Sequence, residues 1–258
     1  MKKQNRIFAI VLALVLVLAM TACGKKQESA IDKIKAAGEL TMLTNAAFAP
    51  FEYLGDDGSI AGVDVDIAKA VADELGVTLK VVDMDFEGIV MAVQSGQGDL
   101  GVAGMTNNEE RRKSVDFSIN YVSTTQVIIV QEGSDVKTAD DLVGKQVGVQ
   151  LGTTGDLFTS DLEGVEISRF KTGADAGMAL SNGQISAVVI DQMPAQQIVA
   201  SNTGLVVLDE PLTVEEYAIA IKKGNDDLKE VVDKVLQKLL DDGTVDKWIE
   251  EHMAAYAG

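Results

Sequence analysis

Short apolar runs alternate with segments of helical periodicity along most of the chain, and this alternation constrains the fold more than any other feature. Residues 40–43 are an apolar run, and 64–75 carry Ile67, Val71 and Leu75 at helical spacing before Gly76. Such a pair predicts a strand followed by a helix with a glycine stop. Residues 79–82 read as a strand, 88–94 as a short helix and 100–103 as a further strand. After a fully apolar strand at 127–130 the rhythm repeats as strand 147–149, helix 154–162, strand 167–170, helix 174–180 and strand 187–190. Pro194 opens the next helix, where its missing N–H costs nothing. Asn225 is read as the cap of a long helix, whose first turn holds Asp226 and Asp227, a favourable charge there. The pattern predicts an α/β protein of parallel sheets flanked by helices, with crevices at the strand ends.

A chain of 258 residues has room for one large domain or two lobes. Two polar connections, 123–126 and 209–216, bracket a middle block the size of a small lobe. The expected division is lobe 1 at 38–122 and 217–258, lobe 2 at 127–212, and two hinge crossings at 123–126 and 213–216. A lobe joined by two crossings is a natural hinge.

Charge and cysteine content exclude several classes of function. Lys and Arg number 22 against 40 Asp and Glu, a net charge of −18, so nucleic acid is not an expected partner. One Cys allows no internal disulfide, and with one His it leaves no protein zinc site. No cofactor is expected, and the protein is expected to be a monomer.

The N-terminus reads as an export signal. Lys2, Lys3 and Arg6 precede an uncharged apolar run from 7 to 20, short for a membrane span and suited to a signal-peptide core. Met20-Thr21-Ala22-Cys23-Gly24 then resembles a bacterial lipobox, with Met20 where Leu is usual. The resemblance implies cleavage after residue 22, acylation of Cys23, and a tether over 23–37 that holds the protein outside the cytoplasm on a lipid anchor. Loss of Lys2, Lys3 and Arg6 takes the net charge from −18 to −21. Such a body stands off an anionic membrane.

A candidate pocket draws on separate segments. A strand end leads into Asn45, Phe48, Pro50 and Phe51, a loop with two aromatics; Phe51 is read as core, while spacing leaves Phe48 undecided. The stretch from Pro50 to Gly76, with Gly62, Asp64 and Asp66, resembles family 3 extracellular solute-binding proteins, the polar amino-acid receptors of ABC importers. Asp83, Asp85, Phe86 and Gly88 match the next block of that family; Asp99, Gly104, Thr106, Glu110, Arg111, Asp116, Phe117 and Ser118 match its most diagnostic one. Gly152-Thr153-Thr154-Gly155, the run ending at Asp191, and Asp242-Gly243 with Trp248 complete the set in order, from about residue 38 to the end. The resemblance implies a type II periplasmic-binding-protein-like fold of two lobes, each a mostly parallel sheet flanked by helices. It implies free amino acid and the membrane subunits of an ABC permease as partners.

Each matched residue has a physical reading beside a plainer one. Arg111 follows a buried strand and suits a ligand α-carboxylate, which arginine grips with two parallel charge-assisted bonds; the plainer role, a solvated arginine, falls to Arg112. Thr106 and the Gly104 backbone lie just before it, and glycine lets the main chain approach closely. Asp191 ends a strand and suits an α-ammonium group, or alternatively caps the next helix. Thr153 and Thr154 head a helix in a glycine-flanked loop, an end attractive to an anion, or simple N-caps. The resemblance assigns Phe48 and Phe86 to covering the ligand side chain.

Asn45 occupies a position where the family often has Asp, and Gln150 stands where some relatives carry Lys. Two amides point to a neutral polar ligand, glutamine first; a basic amino acid or cystine stays open. Glu52 and Glu87 are expected to point to solvent. An enzyme on the same fold, dehydratase-like, is the other class considered, but no Ser-His-Asp set appears and His252 is read on a solvated helix end. No catalytic residue is therefore assigned. Trp248 is read as packing, and the acidic pairs at 226–227 and 241–242 as helix-end charge.

Overall fold

The computed structural model describes residues 29–256. The signal segment and Cys23 lie outside the described residues. Helix α1 is Ala30–Ala37, followed by β1 (Glu39–Thr44), β2 (Ala47–Phe48), β3 (Glu52–Leu54), β4 (Ile60–Ala61), α2 (Val63–Leu75), β5 (Thr78–Asp83), α3 (Ile89–Ser95), β6 (Leu100–Gly101), α4 (Glu109–Arg112) and β7 (Val115–Phe117). The second half has β8 (Val122–Gln131), β9 (Gln146–Gln150), α5 (Thr154–Ser160), β10 (Glu166–Phe170), α6 (Gly173–Ser181), β11 (Ala187–Asp191), α7 (Gln192–Ser201), β12 (Leu205–Val207), β13 (Val214–Tyr217), β14 (Ala220–Lys222), α8 (Asp226–Asp241) and α9 (Thr244–Tyr256).

Two mixed α/β sheets form the two lobes. The first runs β5-β1-β6-β14-β7, the second β10-β9-β11-β8-β12 with β13 beside β8. The strands β5, β1 and β6 are parallel, as are β10, β9 and β11. The reversed strands are those by which the chain changes lobe. β8 enters the second sheet from the cleft and pairs antiparallel with β11, and β14 re-enters the first antiparallel to β6 and β7. A strand that arrives from the cleft runs away from it, against strands whose C-terminal ends point there. β8 and β13 pair antiparallel across residues 122–125 and 214–217, so the two connections form one ribbon.

Helix α2 shows why the pattern reads correctly. Ile67, Ala68, Val71, Ala72 and Leu75 are its buried stripe, and Gly76 closes it at φ 73°. Helix α8 buries Leu228, Val232, Val235, Leu236 and Leu239 in the same way. Phe51 is wholly buried, and Trp248 packs against the same core.

Three expectations change. Residues 30–37, read as tether, form helix α1, with Ser29 accepting from the Asp32 amide, Gly38 as the C-cap and Ile34 buried. The Ile31 N–H donates to Asp227 at 3.1 Å, so this segment packs onto lobe 1. Its short apolar stripe is hidden in the sequence by the lysines between. Asn225 makes no side-chain cap on α8. His252 is not solvated: Tyr53 Oη lies 2.9 Å from Nδ1 and Asp66 Oδ2 lies 2.8 Å from Nε2, which holds α9 to lobe 1.

Candidate functional site

Between the sheets lies a narrow cavity lined by Asn45, Phe48, Phe86, Gly104, Thr106, Arg111, Gln150, Thr153, Thr154 and Asp191, with Glu52 and Ala103. Every residue that the sequence singled out for the pocket reaches this one cavity. The first lobe provides Asn45, Phe48, Glu52, Phe86 and Arg111; the second provides Gln150, Thr153, Thr154 and Asp191.

Helix α4 holds Arg111 in place. Asn108 caps it by accepting from the Arg111 amide at 2.9 Å, and Arg111 is buried while Arg112 is exposed. Arg111 Nη1 donates to the Thr106 carbonyl at 2.8 Å, and Nη2 to the Gly152 carbonyl of the other lobe at 3.1 Å. Its guanidinium stands 5.2 Å from the Phe86 ring centre, within cation–π range. Burial lowers its pKa to about 10 against the opposing fields of Glu215 and Asp191, so it stays charged at neutral pH. The remaining donors of its fork suit a carboxylate.

Asp191 does not cap helix α7 with its side chain. Tyr217 donates to Oδ1 at 2.6 Å and Gln126 to Oδ2 at 2.8 Å. Burial nevertheless raises Asp191 to about 7, with Glu215 adding to the rise and those two hydrogen bonds opposing it. Gln126 also donates to Thr154 Oγ1 at 3.1 Å. Thr153 caps α5 by accepting from Asp156, and its hydroxyl donates to the Gln150 carbonyl. Thr106 donates to Glu215 at 2.7 Å.

Gly104 sits at φ 50°, and a Cβ there would lie 2.6 Å from the Phe48 ring. Only glycine lets the backbone pass so close to that ring. The Gly104 N–H donates to Asp64 Oδ2 at 2.8 Å and Tyr121 Oη donates to Oδ1 at 2.7 Å. Burial raises Asp64 to about 6, against the lowering effect of those donors.

The two amides pair with each other across the cleft. Gln150 Nε2 donates to Asn45 Oδ1 at 2.9 Å, and Asn45 Nδ2 donates to the Met84 carbonyl at 2.9 Å.

Glu52 corrects the sequence reading. Expected in solvent, it lines the cavity at 1% exposure, whereas Glu87 is exposed. Neither Glu52 oxygen accepts a hydrogen bond among the described residues. Burial, then the adjoining Asp64, Asp191 and Asp83, hold its carboxyl well above the usual carboxylate range. As a carboxylic acid Glu52 donates to Asp64, which raises Glu52 further and lowers Asp64. The sequence signal was position: Glu52 stands between Phe51, which is buried, and Tyr53, which is half-buried.

A model of the bacterial extracellular solute-binding proteins, family 3, matches residues 26–255. The chain belongs to that family. This solute-binding protein is 31% identical over 246 residues to the L-cystine-binding protein TcyJ of Escherichia coli (strain K12), covering 92% of each chain. It is 43% identical to holo ArgBP from T. maritima, with a TM-score of 0.80 over 85% of this chain and 99% of that one. It is 35% identical to AbpA from Streptococcus pneumoniae bound to L-arginine, with a TM-score of 0.85 over 88% of this chain and 99% of that one. The solute-binding protein is thus an extracellular amino-acid receptor of the ABC-transporter type with the two-lobed periplasmic-binding-protein fold, and it is not an enzyme.

Proposed function

We propose that the protein captures a basic amino acid, arginine foremost, and presents it to the membrane subunits of an ABC importer. The observation that carries this reading is Glu52, a buried carboxyl on the cavity wall whose two oxygens accept no hydrogen bond among the described residues. A buried charge without a partner is costly, and a guanidinium or ammonium group supplies the missing one. Glutamine is less favoured than the two amides alone suggest, because Gln150 donates to Asn45 and Asn45 donates to the Met84 carbonyl, which leaves less demand for a ligand amide. That AbpA was solved with L-arginine agrees with this choice.

In the proposed complex Arg111 takes the α-carboxylate, Asp191 the α-ammonium group and Glu52 the cationic side chain, with Phe48 and Phe86 covering its methylenes. Asp191 in its charged form is the form that holds an ammonium group. Arg111 belongs to one lobe and Asp191 to the other, so a ligand gripping both stabilises the closed state. The ribbon of β8 and β13 is the proposed hinge, over 123–126 and 213–216. Cystine, which TcyJ is named for binding, fits less well. Its distal carboxylate would meet Glu52, and Arg111 is the sole cation on the wall among the described residues. The lipid anchor on Cys23 is part of the same proposal and would hold the receptor outside the cytoplasm, on the cell membrane.

A thermal-shift screen of arginine, lysine, ornithine, histidine, glutamine and cystine tests the reading. A ligand at a hundred times its dissociation constant adds about 2.7 kcal/mol. Arginine or lysine should give the largest rise; a rise with glutamine or cystine alone overturns the assignment.

A further inference from the structure

The end of the cavity closed by Glu52 holds an excess of acid. Glu52 on β3 is under the fields of Asp64 at the start of α2, Asp191 at the end of β11 and Asp83 at the end of β5. The hydroxyls of Tyr121 and Tyr217 face the same cluster, and each is already committed as a donor, to Asp64 and Asp191. Arg111, the one cation on the wall among the described residues, spends two of its donors on the Thr106 and Gly152 carbonyls. Asp64 and Asp191 each accept two hydrogen bonds, whereas Glu52 accepts none among the described residues. Of the two carboxyls on the cavity wall, Asp191 and Glu52, Glu52 is therefore the one whose charge no donor among the described residues supports.

Resting on the basic-ligand reading above, we propose that Glu52 sets its protonation by the ligand's side chain, so that cationic and neutral ligands bind with different proton counts. A cationic side chain holds Glu52 as a carboxylate. A neutral one leaves no counter-charge, and Glu52 closes over it as a carboxylic acid, its proton taken from solvent. The two complexes differ by about one proton. The difference does not depend on whether the free protein is open or closed, since both ligands start from the same free state. The raised affinity of buried Glu52 for its proton agrees with this. The site thus selects by charge in mildly basic medium and accepts a neutral analogue in acid.

Citrulline, which has arginine's shape with a neutral ureido end, is the probe. Calorimetric titrations with arginine and with citrulline, each in two buffers of different ionisation enthalpy at one pH, count the protons. Citrulline should take up about one proton more than arginine, and the arginine-to-citrulline affinity ratio should fall by up to about tenfold per pH unit on acidification. Equal proton counts, a ratio that stays flat from pH 8 to pH 5, or no citrulline binding at pH 5 would overturn the proposal while arginine binding stood. If arginine fails to bind at any pH, the basic-ligand reading falls and takes this proposal with it. Glu52→Gln, checked for folding by its thermal transition, should abolish the proton difference; a difference that survives assigns it to another acid and also overturns the proposal.

Discussion

Arg111 of one lobe donates from Nη2 to the carbonyl of Gly152 in the other, 3.1 Å away. The same guanidinium that is to hold the ligand carboxylate therefore also ties the lobes together. Arg111→Ala should remove binding of every amino acid, because the α-carboxylate common to all of them loses its partner. Truncating a buried charged partner costs about 2–5 kcal/mol, so calorimetry should show affinity down by about thirtyfold to several thousandfold. Near-normal affinity would refute the role.

Closure itself is open to a separate test at Gly152. Its φ is 78°, and a Cβ would lie 2.9 Å from the Glu87 Cβ of the facing lobe. Gly152→Ala should obstruct the closed state while leaving each lobe intact, apart from about 1–2 kcal/mol of left-handed backbone strain. Ligand affinity measured by calorimetry should fall by about tenfold or more, because binding now pays for incomplete closure. Unchanged affinity would show that the two lobes need not meet there.

Glu52→Gln should move stability and binding in opposite directions. It removes a buried carboxyl that accepts no hydrogen bond among the described residues and lies in the field of Asp64, so the thermal midpoint of the ligand-free protein at pH 8 should rise. Arginine affinity should fall at the same time, by roughly a hundredfold on the scale of a lost buried charge pair. A fall in both would place Glu52 in a structural role.

The pH dependence has a fixed sign. Asp64 at about 6 and Asp191 at about 7 lie above their ordinary value of 3.8, and Glu52 is raised as well. The folded state then binds more protons than the unfolded one, so ligand-free stability falls as pH rises from about 4 through 7, with Glu52 adding to the fall in the same direction. Ligand binding runs the other way, since Asp191 holds an ammonium group only when ionised. Thermal midpoints and affinities between pH 5.5 and 8 check this; parallel trends would contradict it.

Much of the fold was legible because its signals are local. The stripe from Ile67 to Leu75 and the stop at Gly76 need no partner to be read, and the same holds for the strands that end at Asp191 and Gln150. Reversed strands were less legible, because direction depends on where the chain enters a lobe. At the site, Arg111, Asp191 and the aromatics followed from a motif whose spacing survives in sequence. Glu52 did not, since its burial is fixed by the antiparallel pairing of Glu52 with Phe48 and by α2 packing over β3. The Asn45–Gln150 pair joins residues 105 positions apart, and read singly each amide looked like a reader of ligand. His252 was misread for the same reason, as Tyr53 and Asp66 are distant in sequence.

Titration of the wild-type protein with L-arginine and, separately, L-glutamine in a calorimeter at pH 8 bears most directly on what the cavity holds. Saturable one-to-one binding of arginine, at least about tenfold tighter than glutamine, is the expected result. Binding of glutamine with no heat from arginine or lysine would contradict a carboxylate reader at Glu52.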